Sequence, residues 1–325
     1  MNSKISLIRE RTEKILPSQK SFYIFLLLLF IVFFTPYIFT KRYYLHTLNM
    51  LGIYIILSLG LDVALGWTGL IHLAPAAFYG LGSYTSALWV IKVMPDTWYG
   101  YWISLPVVLL FTASLGYLLA LPAIRMRGLY FAIATLGFGE LVRSIFVNWL
   151  KLTGGPYGLK SIPQPHIGSM AITTTSHFFY FIFFFVLLIG FVLFKLSKGP
   201  SGRAWMAIRE DEIAALTLGI NINRAKAEAL AISAAISGLA GWLFAPYVSY
   251  ISPSNFTLDE SIIIFSMVII GGRGSMWGPV VGATLLVLIP ELLRGLAQYR
   301  LLIYGVLLCA TMIARPRGLV GRLKK

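Results

Sequence analysis

Ten apolar stretches, at 21–39, 47–66, 70–91, 101–121, 129–150, 177–195, 227–250, 260–272, 279–294 and 300–314, run through this 325-residue chain. Most are close to the ~20 residues that cross a ~30 Å hydrocarbon core as α-helix. Hydrocarbon offers no water to satisfy backbone N–H and C=O groups, so only helices and closed barrels span it. No alternating pattern of the barrel kind is present. The expected fold is therefore all-α, a polytopic transmembrane helical bundle of about 8–10 spans, the eighth stretch being too short for a full crossing and the ninth marginal. Composition agrees: 58% of residues are hydrophobic and 12% charged, against about 25% charged in soluble domains.

The basic residues lie in short segments between the apolar stretches, so the net charge of +15 reads as membrane topology and not as nucleic-acid binding. With the N-terminus cytoplasmic, the inside segments collect 19 of the 27 Lys and Arg. Both termini are then predicted inside, with a basic segment at 1–20, a permease domain over 21–315 and a basic tail at 316–325. The first stretch is too long for a signal-peptide core and lacks a small-residue cleavage site, so it is expected to stay as a span. The polar segment 196–226 falls in the cytoplasm.

Two places interrupt the helical pattern with glycine and proline: Gly66-Trp67-Thr68-Gly69-Leu70-Ile71-His72-Leu73-Ala74-Pro75, and Gly271-Gly272-Arg273-Gly274-Ser275-Met276-Trp277-Gly278-Pro279. Broken helices at membrane depth are tolerated where protein or a water-filled cavity satisfies the freed backbone, and paired breaks often flank a substrate path. Tight cytoplasmic turns explain the same residues equally well. Gly80, Gly82, Ser83 and Ala87 after the first break, and Gly278, Gly282 and Ala283 after the second, are small residues that let helices approach closely.

Candidates for chemistry are few. The four histidines (His46, His72, His166 and His177) lack metal-ligand spacing, and no nucleophile-base grouping stands out. Lys198-Gly199-Pro200-Ser201-Gly202-Arg203 lacks the lysine and hydroxyl of a phosphate-binding loop. The single cysteine, Cys309, lies in the last stretch and excludes an intramolecular disulfide. No catalytic residue, metal site or cofactor is expected in this chain, and ATP is not expected to bind here.

Glu140 and Arg143 share a helix face inside the fifth stretch. Since a charge at mid-span is costly, Glu140 is predicted to face the protein interior or water. A structural pair is the simpler reading and a contact for a zwitterionic substrate the sharper one. Asp62, one turn before the first break, is expected to hydrogen-bond a nearby loop. Thr153-Gly154-Gly155-Pro156-Tyr157-Gly158-Leu159 reads as turns.

In the polar segment, a helical wheel places Trp205, Ile208, Ile213, Ala215 and Leu216 on one arc and Arg203, Glu210, Asp211 and Ala214 on the other, which predicts one short amphipathic helix over 203–219. Arg209 and Glu212 are spaced to pair, and Gly219 suits a left-handed C-terminal cap.

Six blocks in order resemble the permease subunits of branched-chain amino acid ABC importers, specifically the M-type (LivM) subunit. They are Gly66-Trp67-Thr68-Gly69 with Ala76-Ala77-Phe78-Tyr79-Gly80-Leu81-Gly82-Ser83-Tyr84; Arg125-Met126-Arg127-Gly128 through Glu140; Thr153-Gly154-Gly155; Ala207-Ile208-Arg209-Glu210-Asp211-Glu212-Ile213-Ala214-Ala215; 271–279; and Arg315-Pro316-Arg317-Gly318-Leu319. The resemblance implies a multi-pass subunit of a bacterial or archaeal cytoplasmic membrane. It implies a heterodimer with a sister H-type permease, two cytoplasmic ATPase subunits that bind ATP and Mg, and an extracytoplasmic substrate-binding protein. It also implies that 203–219 couples to the ATPases through Arg203, Trp205, Ile208, Arg209, Glu210, Asp211, Glu212, Ala214, Ala215 and Gly219, similar to the Glu-Ala-Ala loop of ABC permeases, although the Ile-x-Leu-Pro ending is absent. His72-Leu73-Ala74-Pro75 departs from the Ser-Leu-Gly-His usual in the family. Thr68, His72, Glu140, Arg143, Arg273 and Ser275 are the candidates for the translocation path. Urea or short-chain amide transport on the same scaffold, and proton-coupled secondary transport through Glu140 or Asp62, are the alternatives.

Overall fold

The computed structural model describes residues 36, 41–95, 97, 99–123, 128–167, 170–292, 305–306 and 318–320. The basic N-terminal segment, the block Arg125-Met126-Arg127 and, apart from residues 36, 305–306 and 318–320, the first and tenth apolar stretches and the basic tail lie outside the described residues.

Helix α1 (Arg42–Asp62) runs on through a π-helical turn, Val63–Trp67, and stops at the first glycine break. Helix α2 (Pro75–Leu88) starts with proline in its first turn, where a missing N–H costs nothing. Then come α3 (Gly100–Ala123), α4 (Leu129–Asn148) and the single turn α5 (Leu150–Thr153). After a looped region, α6 (Thr175–Lys198) leads into two short helices, α7 (Pro200–Glu210) and α8 (Glu212–Thr217). Helices α9 (Ile222–Val248), α10 (Leu258–Gly271) and α11 (Gly278–Leu292) complete the bundle. Among the described residues six helical segments are long and apolar enough to cross a membrane, which defines a multi-pass helical bundle.

Two expectations about spans are corrected. The eighth is long enough to cross after all, because a 3₁₀ turn at Pro253–Asn255 and the acidic first turn of α10 extend it to a 19-residue apolar segment, Pro253–Gly271. Asp259 and Glu260 had hidden that beginning, yet acids are favourable at a helix N-terminus. The third stretch begins its helix only at Pro75, since residues 68–74 stay non-helical.

Helices α1 and α9 form the interior, each with 83% of its apolar window buried, against 28% for α3 and α4 and 33% for α6. The predicted small residues make this possible. A Cβ on Gly82 would lie 2.6 Å from Gly238 Cα, so α2 and α9 cross backbone to backbone, and Ser83 Oγ donates to the Gly241 carbonyl at 3.1 Å. Gly116 brings α3 equally close to Ala234. An aromatic cluster then ties α3, α6 and α9 together. Tyr101 stacks on Trp242 with ring centroids 4.1 Å apart, and Phe181 and Phe185 pack around them. Their polar atoms are matched: Tyr101 OH donates to the Trp242 carbonyl at 2.9 Å, and Trp242 Nε1 donates to Ser104 Oγ at 2.9 Å.

At the end of the bundle away from α7 and α8, the predicted turns are present. Gly154 takes a left-handed cap position at the end of α5, and Gly155–Tyr157 form a 3₁₀ turn. Strand β1 (Leu159–Lys160) pairs antiparallel with β4 (Tyr250–Ile251), placing Leu159 opposite Ile251. Strands β2 (His166–Ile167) and β3 (Met170–Ala171) make a second two-residue ladder.

Candidate functional site

The two glycine breaks, joined by a contact between residues 212 positions apart in the chain, meet at one end of the bundle, and the polar segment is fastened to both. The π-helical turn leaves the last carbonyls of α1 without intrahelical partners. Thr68 Oγ1 at 2.6 Å and the Leu70 N–H at 3.0 Å satisfy the Ala64 carbonyl. The Gly66 carbonyl is taken by the guanidinium of Arg209, from the last turn of α7. A cation there also complements the negative end of the helix dipole.

Asp62 completes the connection by accepting from the Gly274 N–H at 2.8 Å, which binds the end of α1 to the second break. Gly274 has φ of +77° and a Cβ there would lie 2.8 Å from the Gly66 carbonyl oxygen and would strike the Arg209 guanidinium. Glycine is required at this point on both counts. The second break is closed from its other side: Leu319 N–H donates to the Ile270 carbonyl and Val320 N–H to the Gly271 carbonyl, each at 2.9 Å. Four of the six sequence blocks, around 66, 209, 274 and 318, thus converge on one junction.

Helix α7 is seated by its apolar side. Trp205 and Ile208 are buried, and Trp205 stacks on Trp67 with centroids 6.1 Å apart and an interplanar angle of 28°. Helix α8 is a separate element, which corrects the expectation of one continuous helix. Asp211 leaves helical geometry, and its Oδ1 accepts from the N–H groups of Ile213 (2.8 Å) and Ala214 (3.1 Å), a side-chain cap that starts a new helix. That restart shifts the phase. Ala215 stays buried, but Ile213 and Leu216 are 76% and 61% exposed, and Leu218 beyond them is 77% exposed. The expected Arg209–Glu212 pair does not form either: Arg209 is spent on Gly66, and Glu212 pairs with Lys226 of α9 at 2.5 Å. Gly219 does provide the left-handed cap, at φ +79°, with its N–H on the Leu216 carbonyl and the Ile220 N–H on the Ala215 carbonyl.

The candidate path residues do not gather at one place. Thr68 belongs to the junction, Arg273 is exposed on the second break, and Ser275 is half-buried beside it. His72 is fully buried with Nε2 3.3 Å from Ser233 Oγ of α9. The chain around it is nailed down by Leu73 N–H to Thr135 Oγ1 at 2.9 Å and Ala76 N–H to Ser261 Oγ at 3.2 Å. Glu140 and Arg143 do pair, at 3.0 Å, with side chains 43% and 40% exposed, and Glu140 borders a cleft lined by Leu73, Ala77, Phe256 and Leu258. Asp62 hydrogen-bonds a loop, as its position suggested. The Arg209–Gly66 contact, the Trp67–Trp205 stack and the role of Lys226 have no signature in local spacing.

The described residues form a multi-pass helical bundle whose charged segment is fastened to two broken helices, and its family is one of membrane permeases. The chain belongs to the family described as branched-chain amino acid transport system, permease component, which matches residues 43–315. It is 40% identical over 299 residues to the high-affinity branched-chain amino acid transport system permease protein LivM of Escherichia coli (strain K12), covering 84% of this chain and 68% of that protein. The probable LivM permease of Methanocaldococcus jannaschii is 28% identical over 224 residues, 63% of this chain and 64% of its own length. The LivH permease of the same E. coli strain is 25% identical over 290 residues, 83% of this chain and 91% of its own. The match to LivM over most of the chain supports an M-type permease. No solved structure matches the chain.

Proposed function

We propose that this chain is one of two permease subunits of an ATP-binding cassette importer for branched-chain amino acids, with ATP hydrolysed by two separate cytoplasmic ATPase subunits. A sister H-type permease completes the path and an extracytoplasmic binding protein delivers the substrate. The junction end and both termini face the cytoplasm of a bacterial or archaeal cell, in line with the charge asymmetry. Residues 203–219 couple to the ATPases, and α8 is the part that meets them, offering Ile213, Leu216 and Leu218 outward beside Glu210 and Asp211.

The observation that carries this reading is the fastening of α7 to both helix breaks through Arg209, Gly66, Asp62 and Gly274. A push on α8 is passed to α7, and from α7 to the inner ends of α1 and α11, without any chemistry in this subunit. The test is uptake of labelled leucine into proteoliposomes that hold the full assembly. Uptake should require ATP inside the ATPase-facing compartment and fail with this chain alone. Accumulation driven by a proton gradient with no ATP would replace the reading with secondary transport, and urea or an amide outcompeting leucine would move the substrate class.

A further inference from the structure

Helix α6 lies at the periphery of the bundle, and one stripe of it changes character along its length. Phe184, Leu188, Phe191, Lys195 and Lys198 fall within an arc of about 80° at 100° per residue, and all five are exposed. No charged residue occurs from Phe178 to Phe194, so the stripe is apolar up to Lys195 and cationic beyond it. That change marks where hydrocarbon gives way to the headgroup layer.

Side chains on a helix lean toward its N-terminus, which for the end of α6 is back toward the hydrocarbon. The two lysines follow that lean. Lys195 Nζ lies 5.0 Å from the centre of the Phe191 ring, and Lys198 Nζ lies 4.1 Å from that of Phe194. A ring face supplies part of the negative charge that a cation seeks, and the other side of each ammonium is open. Arg203, from the first turns of α7, joins them by donating to the Lys198 carbonyl at 3.4 Å. The elbow between the helices is tightly built: a Cβ on Gly202 would lie 2.7 Å from Ser197 Cα, so α7 starts pressed onto the last turn of α6. Among the described residues none of these three cations has an acidic partner.

The negative charges available at this depth of a bilayer are lipid phosphates, and a lysine stem laid on apolar surface with its head at the interface is suited to meet them. We propose that the α6–α7 elbow binds an anionic phospholipid, with acyl chains along Phe184, Leu188 and Phe191 and the phosphate held by Lys195, Lys198 and Arg203. Trp205 and Arg209 follow Arg203 on the same helix, so the lipid steadies the stem that is fastened to both breaks. The inference needs this end of the bundle to lie at a bilayer surface and needs nothing from the transport reading.

The test adds phosphatidylglycerol or phosphatidylcholine of the same acyl chains to the detergent-purified full chain. Native mass spectrometry counts retained lipid, and tryptophan fluorescence follows the thermal midpoint. The wild type should prefer phosphatidylglycerol by about tenfold or more and should melt higher in its presence, as a protein does with a ligand of its folded state. Lys195→Gln combined with Lys198→Gln and Arg203→Gln should melt with the wild type in phosphatidylcholine, yet lose both the preference and the shift. Lys198→Glu alone should weaken both by repulsion, and Lys198→Arg should keep them. An equal loss of charge at the other end, Lys41→Gln with Lys151→Gln and Lys160→Gln, should keep them too. The proposal is overturned if the triple variant at the elbow retains phosphatidylglycerol as the wild type does, or if the variant at the other end loses it as fully. Displacement of the lipid by millimolar inorganic phosphate at matched ionic strength would overturn it in favour of a free-anion site. Exclusion of the lipid from the assembly with partner subunits would overturn it in favour of a protein contact.

Discussion

Gly66→Ala is the sharpest probe of the junction. A Cβ at this position would sit 2.5 Å from Asp62 Cγ, and nearer still to Asp62 Oδ1 and to the backbone nitrogen of Gly274. The carboxyl group can swing away, but only by releasing the Gly274 N–H, and leaving such a group unsatisfied costs about 1–3 kcal/mol. The backbone of Gly274 has less freedom, hemmed in by the Gly66 carbonyl and Arg209, so the two breaks must also spread, an overpacking cost of about 1–3 kcal/mol. Together these give roughly 2–6 kcal/mol for the single change, a large share of the ~5–15 kcal/mol that holds a typical fold together. Asp62→Ala alone forfeits the same N–H bond, about 1–3 kcal/mol. Because both changes lose that one bond, the double variant should be no less stable than Gly66→Ala. Thermal unfolding of the detergent-purified chain, followed by tryptophan fluorescence, reads the order directly, since Trp67 and Trp205 stack beside the junction. The wild type should melt highest and Asp62→Ala next, with Gly66→Ala and the double variant lowest and close together. Fully additive losses, or a neutral Gly66→Ala, would refute the shared contact.

Arg209→Ala should lower the melting midpoint through loss of a charge-assisted bond worth about 1.5–3 kcal/mol and should abolish ATP-driven uptake. Adding Glu212→Arg to Arg209→Glu should give no rescue in the same assays, because the two residues do not touch each other. Ile213→Asp together with Leu216→Asp should leave the melting midpoint almost unchanged, as expected within roughly 0.5 kcal/mol for exposed positions, yet abolish co-purification of the ATPases. Tyr101→Phe strips the buried Trp242 carbonyl of its side-chain donor and should destabilise by about 1–3 kcal/mol, measured by the same thermal melt.

The spans at 47–66, 101–121, 129–150, 177–195 and 227–250 were legible because hydrocarbon thickness imposes a length on them, and the close crossings of α2 with α9 and of α10 with α11 could be anticipated from Gly82, Gly278 and Gly282. The beginning of α10 was obscured by Asp259 and Glu260, two acids that a hydropathy pattern penalises and a helix N-terminus welcomes. The amphipathic arc over 203–219 was half right for a simple reason. It assumed 100° per residue throughout, and Asp211 resets the phase by capping a second helix, so Trp205, Ile208 and Ala215 turn inward while Ile213 and Leu216 do not. The junction was out of reach altogether. Asp62 and Gly274 are 212 positions apart, and no periodicity joins residues that only the folded bundle brings together.

The division of the polar segment at Asp211 separates two kinds of evolutionary constraint. The stem, through Trp205, Ile208 and Arg209, cannot drift without loosening the bundle. The head can: the side chains of Ile213, Leu216 and Leu218 are so exposed that rewriting all three would hardly register in folding. On the proposed coupling role, a lineage adopts a different motor by editing a patch of three side chains while the machinery above it stays as it was.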